Sequence, residues 1–347
     1  MTAFLHSAFR ASAALAASAM FFVGAFAFAA NVSFENVFEA ASFPFAHAAT
    51  LVETPDGGLL CAWFSGEREK SFDTSIWISK RSNGVWGEPR EVANGLDPVS
   101  RKRYAAWNPV LWKNPKGEIV LTYKVGDSPR MWKGFFKTSR DGGATWSAVE
   151  ALPEGFLGAV KNKPVVLKSG RIVAPSSTEF HSAFGWRSHF EYSDDGGATW
   201  KISAPRISWI ETIQPAIILE KDGVLRALMR SRDGYVAQSV SRDGGVSWAP
   251  LSQLKIHNPN SGLDAAALAD GRFVLVCNPQ KNGRNKLSVF ISPDGESWRE
   301  AAKLEDGADG EGYSYPSVLQ TSDGALHIVY SDNLRRIKHA TLNPWEL

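Results

Sequence analysis

Apolar and polar positions alternate along this chain in short runs that end at glycine-containing turns. Such turns stand at Asp56-Gly57, Lys116-Gly117, Ser169-Gly170, Asp222-Gly223, Asp270-Gly271 and Asp323-Gly324, spaced 60, 53, 53, 48 and 53 residues apart. Each is followed by an apolar run, for example Leu59-Leu60-Cys61-Ala62-Trp63 or Phe273-Val274-Leu275-Val276. Glycine takes the positive φ that a tight turn needs, and an apolar run bounded by turns reads as a buried strand. The pattern predicts six hairpins.

A second repeat sits within the same period. Ser139-Arg-Asp141-Gly-Gly-Ala-Thr145-Trp146, Ser193-Asp-Asp195-Gly-Gly-Ala-Thr199-Trp200, Ser241-Arg-Asp243-Gly-Gly-Val-Ser247-Trp248 and the shortened Ser292-Pro-Asp294-Gly-Glu-Ser297-Trp298 lie 54, 48 and 50 residues apart. Asp and Ser side chains hold the backbone of such a turn, and Trp anchors it on the sheet. The first unit carries only a worn copy, Arg81 to Trp86, and the last stops at Arg336-Ile337-Lys338-His339 before a copy forms. Each unit of about 50 residues holds four strands, the content of one propeller blade. The expectation is an all-β, six-bladed β-propeller forming one domain over residues 30–347.

Composition narrows the function classes. A net charge of +2 gives no reason to expect nucleic acid or an anionic membrane surface as partner. No phosphate-loop, dinucleotide or zinc-ligand spacing occurs, so no cofactor and no metal are expected. Cys61 and Cys277 lie in apolar strands of different units and read as buried free thiols. At the N-terminus Arg10 precedes the Ala/Phe-rich stretch Ala13 to Phe28, followed by Ala27-Phe28-Ala29, the small-x-small pattern of a signal peptidase site. Residues 1–29 are expected to be a signal peptide, and the mature chain to be exported without stable membrane insertion.

Candidate chemistry recurs at one register, just before the first strand of each hairpin. It reads His47-Ala48, Asn108-Pro109, Lys163-Pro164, Gln214-Pro215, Asp264-Ala265 and Tyr315-Pro316. Six polar side chains at one mouth could donate, accept and titrate together. The ends of the second strands add Glu67, Arg68 and Asp73, Tyr123-Lys124, Ser177-Thr178-Glu179, Arg230 and Arg232, and Arg284 beyond Asn278-Pro279. Guanidinium groups at one mouth would focus positive potential and take a carboxylate with paired hydrogen bonds, so an acidic sugar or oligosaccharide is the expected partner.

The four Asp-turn-Trp segments are Asp-boxes, and from about residue 40 to 340 the chain resembles the sialidase-like (neuraminidase-like) BNR-repeat propellers. That resemblance implies an exo-glycosidase with arginines on the substrate carboxylate, a Tyr nucleophile with a Glu partner, and an Asp acid/base. Gly312-Tyr313-Ser314 resembles the family's Tyr-Ser segment, which assigns Tyr313 as nucleophile. Arg230 and Arg284 match the second and third arginines, and Asp73 the acid/base; Arg68, Asn108, Lys163, Asp264 and Tyr315 are expected to line the substrate. Two positions depart from the pattern. His47 stands where the first arginine belongs, and Gln214 stands where the Glu belongs and cannot take a proton from Tyr. Glu211, three residues upstream, is a substitute only if the strand start is irregular. Two alternatives therefore stay open: a uronate polysaccharide lyase with His47 as base, and a non-catalytic propeller that binds glycan.

Overall fold

The computed structural model describes residues 31–98, 100–180, 185–206 and 209–347. The expected signal peptide lies outside the described residues. Six antiparallel sheets follow one another along the chain, each laid down as consecutive hairpins. Blade one comprises Phe45–Glu53, Leu59–Gly66 and Ser75–Ser82, with Val85–Trp86 and Arg90–Asn94 both pairing to its third strand. Blades two to five begin at Ala106–Lys113, Val165–Val166, Thr212–Leu219 and Asp264–Ala267. Blade six begins at Tyr313–Gln320 and continues through Leu326–Asp332 to Arg336–Leu342.

The repeat that runs out at the C-terminus is completed from the other end of the chain. Val32–Asn36 pairs antiparallel with Arg336–Leu342, Val32 opposite Leu342 and Asn36 opposite Lys338. The outer edge of blade six is thus covered by the first strand of the chain, which also ties the ring shut.

Apolar residues alternate in direction along each strand, so each blade offers an apolar surface to both neighbours. Six separate clusters fill the six interfaces between blades. Leu60, Phe64, Leu121 and Phe135 join blades one and two; Trp112 and Ile172 join two and three; Phe190 and Trp248 join three and four. Leu228 with Leu275, Val289 with Ile328, and Trp63 with Val329 close the rest of the circle. Cys61 and Cys277 are free and buried in two of these clusters.

The Asp-boxes form one bonding pattern four times. Asp141 Oδ1 accepts from Thr145 N at 2.9 Å and from Ser139 Oγ at 2.8 Å, and the Trp146 indole donates to Gly143 O at 3.1 Å. The same contacts recur around Asp195, Asp243 and Asp294. Each box lies between the third and fourth strands of its blade, at the periphery and away from the mouth.

Candidate functional site

The site is built on a backbone irregularity repeated in four blades. The innermost strands of blades one, two, four and six slip register between His47 and Thr50, Trp107 and Val110, Ile213 and Ala216, and Ser314 and Ser317. At each bulge one non-glycine residue turns left-handed: Ala48 (φ 54°), Asn108 (38°), Gln214 (55°) and Tyr315 (55°). Such a conformation costs on the order of 1–3 kcal/mol per residue and persists only where surroundings enforce it. A bulge re-aims the side chain it carries. Here Gln214 and Tyr315 are turned toward each other at the centre.

This geometry redraws the register read from the sequence. The position equivalent to Asn108, Gln214 and Tyr315 is Ala48, and His47 falls one place earlier, level with Trp107, Ile213 and Ser314. Blades three and five have no such bulge in their short inner strands. Lys163 and Asp264 instead bond to each other, and the Asp264 carboxylate also accepts from Val318 N, so neither charge is left open at the mouth. Asn108 is buried. Arg68 is exposed and reaches only Glu67. Asp73 is committed to its own loop, accepting from Glu67 N at 2.9 Å.

The structure places Tyr313 and Tyr315 in different surroundings. Tyr313 packs among apolar residues between blades five and six, and its hydroxyl donates to Glu311 at 3.3 Å. Burial, with Glu305, Glu311 and Asp332 around it, pushes its phenol up to about 12. Lys338 Nζ lies 5.6 Å from its ring centre, but three carboxylates against one ammonium leave a setting that suits neither an anionic substrate nor a phenolate. Two residues further on, the left-handed bulge swings Tyr315 into the basic centre. Its hydroxyl accepts from Arg230 Nη1 at 2.9 Å and from Gln214 Nε2 at 3.3 Å. The Arg230 and Arg284 guanidinium carbons each lie 5.9 Å from its ring centre, and the His47 ring lies 4.3 Å away.

The two arginines are held by one residue. Asn260, itself left-handed, takes Arg230 Nε on its side-chain oxygen at 2.9 Å and Arg284 Nη2 on its backbone carbonyl at 3.3 Å. Arg230 also donates to Gln214 Oε1 at 3.2 Å and lies over the Trp186 ring. Glu211 accepts from Trp186 N at 2.9 Å and from Arg232 at 3.1 Å. It anchors Trp186 in the third strand of blade three.

Charge at the mouth is mixed. His47 is buried, with Nδ1 on Ser331 Oγ at 2.8 Å. Burial, helped by Arg284, Lys161 and Arg230, pushes it down to about 3, so it is a neutral imidazole at physiological pH. Glu69 lies within electrostatic reach of Arg284 and Arg230. Its side chain is exposed, yet desolvation by the surrounding protein holds its pKa above the usual carboxylate range, against the pull of Lys70 and both arginines. Glu179 is raised in the same way, with Arg230 and Arg232 opposing and Glu69 adding repulsion. Glu69, Asn260 and Trp186 were not singled out in the sequence. Glu69 lies in the loop that yielded Glu67, Arg68 and Asp73, and only the path of that loop decides which acid feels the arginines. Among the described residues, no group of three or more His, Cys, Asp or Glu side chains could hold a metal ion, and no helix is long and apolar enough to cross a membrane.

Comparison with known proteins agrees with the architecture. The sialidase of Micromonospora viridifaciens is 26% identical over 346 residues, covering 87% of this chain and 52% of the relative. The anhydrosialidase of Macrobdella decora is 25% identical over 222 residues, covering 55% of this chain and 28% of the relative. The chain thus spans about half the length, or less, of these curated relatives. Among solved structures, the Hadza microbial sialidase Hz136 superposes with a TM-score of 0.77 at 16% identity over 90% of this chain and 69% of its own. A Dyadobacter fermentans protein of unknown function gives 0.75 at 16% identity over 90% and 99%. At that identity the superpositions speak for the fold. A family model described as a BNR repeat-like domain matches residues 57–328, more than three quarters of the sequence, and the chain belongs to that family of six-bladed, sialidase-like propellers.

Proposed function

We propose that the chain is a sialidase-superfamily exo-glycosidase that removes a carboxylate-bearing sugar, with Tyr315 as its nucleophile. The observation that carries this reading is the Tyr315 hydroxyl, which accepts from Arg230 at 2.9 Å while Arg284 flanks the same ring. Arg230 and Arg284, yoked by Asn260, are the fork that binds the substrate carboxylate. A carboxylate placed there brings the anomeric carbon over Tyr315. A neutral phenol approaches such a centre without the charge repulsion an acid nucleophile would meet. Donors from Arg230 and Gln214 favour negative charge on the phenol oxygen as it develops.

Glu69 is the proton donor to the leaving oxygen in this reading. Its raised pKa keeps it protonated further toward neutrality than an ordinary carboxylate. Gln214 accepts no proton, so in this reading the phenolic proton passes to the Glu179 carboxylate while Glu69 supplies its own proton to the leaving oxygen. The relatives named sialidases support the reaction class; their activity concerns longer proteins. Export of the mature chain, expected from residues 1–29, belongs to the same proposal.

A uronate lyase is favoured by one observation, the amide at position 214 in place of a proton acceptor. The neutral, buried His47, pushed down to about 3, is a weak base for abstracting a C5 proton. The test is to supply an aryl sialoside and a panel of uronate polysaccharides, following aglycone release and ultraviolet absorbance together. Aglycone release that disappears in Tyr315→Phe supports the glycosidase. Growth of absorbance on a uronate polymer with the sialoside intact replaces it with the lyase. Saturable binding without product identifies a glycan-binding propeller.

A further inference from the structure

The segment that opens blade three gives up its place in the sheet. Its inner strand is reduced to Val165–Val166, and the residues before it cross the centre of the ring. Lys161 and Asn162 are both buried there. The Asn162 amide donates to Gln214 O at 3.1 Å and Pro215 O at 2.9 Å, in blade four. The Lys161 ammonium donates to Asn162 Oδ1 at 2.8 Å, to Leu263 O of blade five at 2.9 Å, and to Pro316 O of blade six. Three acceptors meet the three donors of one ammonium group.

The acceptors are chosen by the bulges. At Gln214-Pro215 and Tyr315-Pro316 the register slips, so carbonyls there have no ladder partner. Three of them, Gln214 O, Pro215 O and Pro316 O, are taken by this clasp. Those two bulges carry the left-handed residues that place Gln214 and Tyr315 against Arg230.

We propose that Lys161 and Asn162 are positioning residues for the reaction: by capturing the bulge carbonyls of blades four and six, they hold the strained backbone that aims Gln214 and Tyr315 at Arg230. Neither residue is required to touch the substrate. The inference rests on Tyr315 being the reacting group, but its geometric core does not depend on the identity of the sugar. Blade three thus exchanges ladder bonds of its own for control over the mouth of its neighbours. The strain at Gln214 and Tyr315 is held by a part of the chain 52 to 155 residues away in sequence.

The test uses the full chain labelled with ¹³Cζ-tyrosine. The chain has seven tyrosines, and Tyr315→Phe assigns the signal at the mouth. Lys161→Met keeps the volume of the stem and removes the donors; Asn162→Ala removes the two blade-four bonds and one of the three acceptors of Lys161, and serves if the first variant does not fold. In both, the Tyr315 signal is expected to shift or broaden while the remaining six keep their positions. With a turned-over substrate, kcat falls about a hundredfold and KM stays within about threefold, because misplacement at the reacting centre costs rate more than binding. A Tyr315 signal unmoved in folded variants overturns the proposal, whatever happens to turnover. Equal movement of all seven signals also overturns it, since that marks general loosening. Absence of turnover by the wild type on every sugar tried defeats the glycosidase reading and leaves the tyrosine signal to decide this one.

Discussion

Two tyrosines, two residues apart, have opposite surroundings. Tyr315 has guanidinium groups at its oxygen and ring, whereas Tyr313 is ringed by Glu305, Glu311 and Asp332. Tyr315→Phe is accordingly expected to lower kcat by a hundredfold or more, on the order of 3 kcal/mol in barrier, while Tyr313→Phe stays within a few-fold of wild type. Steady-state kinetics on one substrate separate them, and equal losses would show that the phenol at the mouth is not the reacting group. Gln214 offers a gain-of-function test. Gln214→Glu restores a proton acceptor 3.3 Å from the phenol and is expected to raise kcat several-fold for a glycosidase. A lower kcat would mean the amide is required as a donor. The residue types at the site were legible in sequence: Arg230, Arg284, Gln214, Tyr315 and His47 were all named. The one-residue offset at His47 and the contact of Tyr315 with Arg230 were not, because both follow from where a bulge inserts its extra residue. Side-chain spacing along the strand does not reveal that.

At the level of elements, the Asp-box was readable in full because every bond in it is local. Asp, Ser or Thr, Gly and Trp lie within eight residues, so composition and spacing dictate the turn. The same bonds make it acid-sensitive. The Thr145 hydroxyl and N–H hold Asp141 down to about 2, and Thr199 holds Asp195 lower still. The sign follows from linkage: a carboxylate with a lowered folded pKa stabilises the fold above its unfolded value and loses that contribution as pH falls through the folded one. Melting temperature should therefore drop between about pH 4 and pH 2. Replacing Asp141 and Asp195 together by Asn should lower it at pH 7 and flatten the slope in that window, as read by calorimetry. An unchanged slope would place the acid sensitivity elsewhere. The inner strands are the contrary case. In blade three the sequence offers Lys163-Pro164 in the same tag as its neighbours, yet the segment before it serves as a clasp, because its partners lie in blades four to six.

Closure governs the whole molecule. Val32–Asn36 seals blade six, and the seam is reinforced by a polar chain: His327 Nδ1 lies 2.9 Å from His339 Nε2, His339 Nδ1 2.8 Å from Glu35, and Arg81 of blade one 2.7 Å from the same Glu35 oxygen. Burial, with His339 adding repulsion, pushes His327 down to about 4, against the pull of Asp323. A histidine with a lowered folded pKa contributes its full stability above its unfolded value near 6.5. It loses that contribution as pH falls through about 4. His327 should thus contribute a fall of up to about 3 kcal/mol between those limits, alongside that of His47, and His327→Gln should reduce the slope by its share. Denaturant titration across that range measures it, and an unaltered slope would exonerate the seam. The sequence by itself determined the blade count, the turn chemistry and the β class, because these rest on local bonds repeated at a fixed period. It also supplied most of the charged inventory of the mouth. Only the tertiary structure decided which tyrosine meets the arginines, what spans the centre and which strand closes the ring. Those choices depend on bulges, loop paths and partners far apart in the chain, where the cost of a strained backbone is offset by hydrogen bonds that no local pattern encodes.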